Sequence, residues 1–489
     1  MYVGELIYLD RRYSFIIREK LMKLTPLDDG VLPIMIPAGN SGGLTISTKS
    51  TKVQQCHFIG ECCEDGKKII IIPEAGNFGL RNFSMTLPIA HIIEFTGDTR
   101  KIAGITFFCE ELDWIYDVRQ FVKQKGPPFT SDEDSTVYID GFSKTTTDVG
   151  NVTIDGIDVS CHLGLSLTKS FSKTPISLQS NLRLCFAETD DYVFLLSLIQ
   201  NIDKLLQFLC YRRNINFTAI RFEEFSIGPA AEFQQRLHNL ANKENTESED
   251  SECTEKKYYT CATLVESEFL TRVEDEKIVG SRYIPHCALD GKVTEIFQDV
   301  IDGKLYLRHI PDTFSSGARI TPANFIMIMA AFEGEYDMLN PPETQKPKKI
   351  LAQNTVRAQL ETLISSSTGE AKNIYERFLK QVAYRPLMDE IHSSMKKHLD
   401  IIQIFGKHSY GAKEFKPFEI AKRVTAQRDA FAHGNLAKPF EMESVDDIRL
   451  MEYLVFAMQL SEYGIPTNNI IGIIKKLFNV NIPDGMTYL

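Results

Sequence analysis

The chain has 489 residues, enough for two or three domains, and a formal net charge of −11. With 43% hydrophobic and 24% charged residues it has the makeup of a soluble globular protein, and no apolar run reaches the ~18 residues that a membrane span needs. The acidity excludes a protein that coats nucleic acid through overall charge, and leaves room for a few local phosphate contacts.

The first residues argue against a signal peptide. Glu5 interrupts the apolar stretch, and Arg11 and Arg12 follow it rather than precede it. All ten cysteines fall before residue 290. The tightest group, Cys56, His57, Cys62 and Cys63, matches no zinc spacing, because adjacent cysteines rarely ligate one metal together. Reduced thiols in a cytoplasmic protein, with no metal and no cofactor, are the expectation.

Residues 1 to about 186 read as strands and turns. Pro33 to Ser47 carries apolar residues interrupted by Gly39-Asn40-Ser41-Gly42-Gly43. Gln55–Cys62 and Lys67–Pro73 flank Asp65-Gly66, a hairpin signal. Ile69 to Ile72 has the look of a strand buried on both faces. Leu87–Phe95 and Ile102–Phe108 suggest a second antiparallel pair around Gly97-Asp98, and Asn151–Leu167 a third turning at Asp155-Gly156. Ile176–Phe186 alternates as a strand should. These features predict a β-sandwich or open barrel. Asp190 to Tyr211 predicts one amphipathic helix packed on that sheet. Strand character returns at Asn214–Ile227 and Lys257–Val265, separated by the polar, acidic stretch Asn242–Lys257, which reads as a mobile loop or linker.

From Thr321 the pattern becomes helical. Thr321 is an N-cap candidate with Pro322 at the first helical position, and the helix runs through Phe325, Ile328, Met329 and Phe332 to about Tyr336. Glu333 and Glu335 near its end either contact a basic site or are merely solvated. After a Pro/Lys loop from Pro341 to Lys349, helices are predicted over 351–366, 370–383, 386–405, 417–433, 443–463 and 467–478. The fold class is therefore α+β multidomain, a β-rich sandwich or barrel-like domain over residues 1–316 followed by an all-α helical bundle over 317–489. From residue 317 onward 21 Lys and Arg stand beside 20 Asp and Glu, so the excess acid lies before it.

One stretch of the helical part carries specific chemistry: Arg428-Asp429-Ala430-Phe431-Ala432-His433-Gly434. Histidine gives and takes protons near neutrality. Arginine keeps its charge and grips phosphate with a planar fork. Gly434 is placed to end the helix. A separation of five residues turns ~140° around an ideal helix, so the two side chains are neighbours only where the helix ends or distorts. The bare spacing is weak evidence, since Arg385 and His392 form a similar pair. A solvated arginine with a capping histidine is the competing reading.

The stretch resembles the signature of the HEPN superfamily, Arg-(Asn/Asp/His)-x-x-x-His, and in particular the Apea-like HEPN domain, in which glycine commonly follows the histidine. Arg428, Asp429, His433 and Gly434 match position by position. The resemblance spans roughly residues 317 to 480 and extends faintly to the N-terminal part, which is similar to the β-rich domain found ahead of such HEPN domains. It implies a small helical bundle, metal-independent endoribonuclease activity on an RNA substrate (transfer RNA among the candidates), and pairing of two copies into a homodimer or higher homo-oligomer with a composite site. It further implies an abortive-infection or anti-phage defence effector whose N-terminal domain answers to an unknown trigger, away from any membrane.

On this reading the catalytic set is His433 as general acid or base and Arg428 as phosphate clamp. Asp429 either orients Arg428 or its mate in the dimer, or simply caps or bridges on the surface. Arg423 either adds a phosphate contact or lies on a solvated face. The alternative function is a non-catalytic HEPN module for dimerisation or for binding RNA or a ligand. A metal-dependent hydrolase is disfavoured by the absence of His-x-His and His-Glu-x-x-His spacings.

Overall fold

The computed structural model describes residues 1–8, 11–27, 35–37, 44–46, 57–73, 79–81, 84–96, 101–117, 122–125, 136–139, 146–169, 176–225, 258–266, 274–340, 347–382, 386–411, 414–434 and 442–482. The predicted loop Asn242–Lys257, the Gly39–Gly43 break and the Gly97-Asp98 turn lie outside them. The chain forms two compact units. One comprises Met1–Leu206 and Asn214–Val273, the other Gln207–Arg213 and Glu274–Leu489. The division thus falls at Val273/Glu274, where the sequence reading put it at 316/317.

The first unit is β-rich. Its strands are β1 (Tyr2–Tyr8), β2 (Arg11–Arg18), β3 (Leu21–Pro26), β4 (Met35–Pro37), β5 (Leu44–Ile46), β6 (Phe58–Cys62), β7 (Lys68–Pro73), β8 (Gly79–Arg81) and β9 (Ser84–Phe95). They continue with β10 (Ile102–Cys109), β11 (Val122–Lys125), β12 (Thr136–Ile139), β13 (Thr146–Ile154), β14 (Ile157–Lys169), β15 (Ile176–Thr189), β16 (Phe217–Phe225) and β17 (Tyr258–Glu266). Helix α1 (Glu110–Ile115) follows β10, and α2 (Tyr192–Cys210) follows β15. Thirteen strands form one sheet in the order β13-β14-β15-β10-β16-β17-β9-β3-β2-β1-β6-β7, with β8 paired to β9. Because β7 also pairs with β9, six strands close into a barrel, β1-β2-β3-β9-β7-β6.

Alternation fills the barrel. Leu6, Tyr13, Phe15, Ile17, Met22, Leu24, Ile69, Ile71, Leu87 and Ile92 form one buried cluster. Gly4 and Gly60 make room for the buried Phe15 ring, since a Cβ at either position would lie 2.6–2.7 Å from it.

The two hairpins signalled by Asp65-Gly66 and Asp155-Gly156 are present, as β6–β7 and β13–β14. The expected pairing of Leu87–Phe95 with Ile102–Phe108 is not. Every residue of β10 is buried, and both its edges are taken, by β15 and β16. The C-terminal half of β9 pairs with β17 and β7 instead. A local turn signal cannot reveal such long-range competitors. Helix α2 is long and apolar enough to cross a membrane by composition alone, yet 61% of it is buried inside the protein. Phe194 on it meets Phe186 of β15 edge-on at 5.3 Å, as the predicted packing on the sheet requires.

The second unit is helical. Its helices are α3 (Glu276–Val279), α4 (Val293–Ile301), α5 (Phe314–Ala318), α6 (Pro322–Leu339), α7 (Pro347–Ser366), α8 (Glu370–Val382), α9 (Leu387–Lys397), α10 (Leu399–Tyr410), α11 (Pro417–Ala432), α12 (Met442–Glu462) and α13 (Thr467–Leu477). Thr321 caps α6 by accepting from the Asn324 N–H at 3.2 Å. The predicted helix 386–405 is two helices that meet at His398, whose ψ of 28° interrupts the coil. No Gly or Pro marks that break. Helices α3 and α4, and the start of α5, fall in the stretch the sequence reading assigned to the β-rich domain. They are too short for their periodicity to stand out.

Helix α12 runs through the middle of this unit, and Met451 through Leu460 are all buried. Gln459 on it donates to Glu335 of α6 at 2.6 Å, and the Tyr306 N–H also reaches Glu335, at 3.3 Å. Glu335 is therefore neither solvated nor in contact with a basic group, contrary to both sequence readings. Burial raises its pKa from 4.5 to about 7, against the pull of those two hydrogen bonds. Between these values the folded protein holds a proton that the unfolded chain has released, so stability falls as pH rises across the window. Wild type should lose on the order of 2–3 kcal/mol more than Glu335→Gln between pH 5 and pH 8, read from denaturant midpoints. Parallel curves for the two proteins would refute that assignment.

Candidate active site

Helix α11 begins with Pro417 at its first position, where a missing N–H costs nothing. Ile420, Ala421, Val424, Gln427 and Phe431 are buried along one stripe. Phe431 meets Phe325 of α6 edge-on at 5.8 Å. That packing sets α11 against α6 and leaves Arg428, next to the stripe, facing Glu333. The guanidinium donates to both carboxylate oxygens, Nε and Nη2 to Oε1 at 3.2 and 3.1 Å and Nη2 to Oε2 at 3.3 Å. Asp429 adds a looser contact, Nη1 to Oδ1 at 3.5 Å. Arg428 and Glu333 are about one-third exposed, and Asp429 more than half.

His433 is the C-cap residue, at φ −89° and ψ 12°, and its N–H donates to the Asp429 carbonyl at 3.0 Å. Its side chain is exposed. Gly434 follows with φ +76°, and its N–H closes the end by donating to Phe431 O at 3.0 Å. The helix thus stops at the histidine, the condition under which residues five apart can share one end. Arg428, Asp429, Glu333 and Phe431 come together around the α11–α6 contact, and His433 stands at its exposed terminus. Glu333 had no marker in the sequence that separated it from Glu335, two residues away.

Arg423, 38% exposed, has a structural partner that neither expected role included. It grips buried Asp447 of α12 with Nε and Nη2 at 2.9 and 2.7 Å, and Tyr410 donates to the same carboxylate at 2.6 Å. The pair fixes α10, α11 and α12 together. His392 of α9 packs edge-on against Phe418 of α11 at 5.4 Å, and Arg385 lies outside the described residues. Among the described residues no group of three or more His, Cys, Asp or Glu gathers as a metal site; Cys56 lies outside them.

Comparison with known protein families, with curated proteins and with solved structures finds no match to this chain.

Substitutions at two positions test the scaffold that places the site. Gly434→Ala should cost about 1 kcal/mol, from backbone strain alone, because a Cβ there meets nothing within 4 Å. Gly434→Asn should cost less, since asparagine tolerates that conformation. Arg423→Ala should cost about 1–3 kcal/mol by leaving buried Asp447 with Tyr410 as its remaining partner. Urea melts of the three variants check both statements, and an unchanged midpoint for Arg423→Ala would show that the pair is dispensable.

Proposed function

We propose that the chain is a metal-independent endoribonuclease whose chemistry is carried by Arg428 and His433 of a HEPN-like helical domain. The observation that supports this reading is that both residues lie at the C-terminal end of α11. A guanidinium is held by a carboxylate on a neighbouring helix, and an exposed imidazole ends the same helix five residues on. In the reaction, a basic imidazole removes the proton from a ribose 2′-hydroxyl. The 2′-oxygen attacks the adjacent phosphorus, and the P–O5′ bond breaks as the leaving oxygen takes a proton from an acidic imidazole. The products are a 2′,3′-cyclic phosphate and a 5′-hydroxyl. Arg428 stabilises the charge that builds on the non-bridging oxygens.

One histidine cannot be base and acid at once, so a second copy supplies the other in this reading. Helices α7 and α8 offer a face for it. None of their described side chains is buried, and Leu351, Ile374 and Phe378 are exposed. The β-rich unit would restrain or trigger the nuclease, as in an abortive-infection effector. The second reading, a non-catalytic module, is favoured by the Arg428–Glu333 pair itself, since it occupies the guanidinium structurally.

The test is cleavage of total cellular RNA in EDTA by wild type, Arg428→Ala and His433→Ala, with product ends mapped. We expect 2′,3′-cyclic ends from wild type and a drop of at least ~100-fold in each variant, with melting curves retained. Equal cleavage by all three would remove these residues from the mechanism. Loss of stability in Arg428→Ala without loss of activity would favour the structural role. In light scattering, Leu351→Asp/Phe378→Asp should halve the mass of the wild-type particle. A wild-type monomer would rule the composite site out.

A further inference from the structure

A second concave site lies in the helical unit, away from His433. A cavity of about 500 Å³ is lined by Arg213, Arg308, Arg319 and Arg449, by His309, and by apolar side chains that include Ile320, Met327 and Ile448. Its volume is in the range of small-molecule sites. Its charge is unusual for this chain. Four guanidiniums stand against two carboxylates, Asp312 and Glu452, in a protein of net charge −11.

The four arginines differ in what holds them. Arg449 is locked, donating to Glu452 at 2.7 Å and to the Gly317 carbonyl at 2.9 Å. Arg213 donates to the Arg308 carbonyl at 2.6 Å and lies 3.6 Å from Asp312. Arg308 and Arg319 are exposed residues, and no acid or carbonyl among the described residues holds either guanidinium. Glu452 is thus matched tightly by Arg449 and Asp312 loosely by Arg213, and among the described residues two cationic forks have no matching acid.

His309 is the independent observation that points to a ligand. It lines the cavity and is only 7% exposed, and among the described residues neither ring nitrogen has a well-aligned hydrogen-bond partner, its polar neighbour being the Tyr306 backbone. A buried polar group left without a partner is costly, and such groups recur where something else is to be bound. The ring is held between Tyr306, at 6.2 Å, and Tyr211, at 6.1 Å. Burial pushes its pKa down to about 4, against a small opposing pull from the Tyr306 backbone, so at neutral pH it has one N–H to donate and one lone pair to accept. The N-terminal end of α6, where Thr321 and Asn324 line the cavity, adds its positive dipole.

We propose that this cavity binds a phosphorylated small molecule of the nucleotide class. Its phosphates lie between Arg308 and Arg319, its remainder against the apolar wall, and a polar group of the ligand completes His309. Planar forks suit phosphate oxygens, which can accept two N–H bonds at once. The proposal does not depend on the nuclease reading, since its readout is binding.

The experiment is calorimetric titration of the full chain with ATP, AMP and inorganic pyrophosphate, each in low and in high salt. We expect ATP to bind, AMP and pyrophosphate to bind more weakly, and higher salt to weaken all three. Arg308→Ala/Arg319→Ala should weaken ATP at least tenfold without shifting the melting temperature of the free protein, because both side chains are exposed and unpaired. His309→Phe, which keeps the ring buried and removes both nitrogens, should weaken ATP and leave pyrophosphate unchanged. Absence of ATP binding by wild type, or binding undiminished in the double arginine variant, would overturn the proposal. Binding of a short RNA with no binding of mononucleotide would overturn it as well, and would make the cavity part of a path for RNA.

Discussion

The helical unit depends on a helix with no solvent side. Helix α12 is buried over ten consecutive residues, so each polar side chain in or next to that stretch must find a protein partner. Asp447 takes Arg423 and Tyr410, Glu452 takes Arg449 and Tyr211, and Gln459 takes Glu335. Arg449 belongs to α12 itself, and the other partners come from other segments of the chain. Apolar packing alone would let α6, α10 and α11 slide along the central helix, whereas a stranded carboxylate makes a slipped register expensive. Removing one partner of such a buried group costs on the order of 1–3 kcal/mol.

The site inherits its geometry from that arrangement. With α6 tied to α12 through Glu335 and Gln459, and α11 tied through Arg423 and Asp447, the faces of α6 and α11 that meet are no longer adjustable. Phe325 and Phe431 fill the contact, and Glu333 and Arg428 close its rim. Two glutamates two residues apart thereby meet opposite fates. Glu335 points inward, where burial favours its protonated form, and Glu333 points to the rim, where a guanidinium keeps its charge matched.

Much of this was legible in the sequence where the signal is local. Thr321-Pro322 marked the start of α6, Gly434 the end of α11, and Asp65-Gly66 and Asp155-Gly156 two true hairpins, because capping and turn formation involve residues within a few positions of one another. Failures came where distant residues decide. The Gly97-Asp98 turn signal lost to β15, β16 and β17, which a local reading cannot weigh. The break at His398 carries no Gly or Pro. Arg423 looked like any solvated arginine, since Asp447 lies 24 residues away and its burial follows from tertiary packing. For the same reason Arg428 and His433 could be nominated from their spacing, while the carboxylate that holds Arg428 could only be found in the fold.

In the proposed nuclease, the hold of Glu333 on Arg428 decides how readily the arginine could meet a phosphate. The pair is about one-third exposed on both sides, and a pair so open to water contributes no more than about 1 kcal/mol. A phosphodiester offers the same fork two oxygens in similar geometry, and charge-assisted contacts of that kind are at least as strong. Exchange of one anion for the other is therefore nearly balanced in energy. In the meantime the carboxylate keeps the guanidinium oriented, so less conformational freedom is lost when phosphate arrives. His433 has the complementary property. Its backbone is tied to the helix end through the Asp429 carbonyl, but its side chain is exposed, so in the proposed nuclease a change of rotamer can bring the ring to a strand without unwinding the helix that presents Arg428.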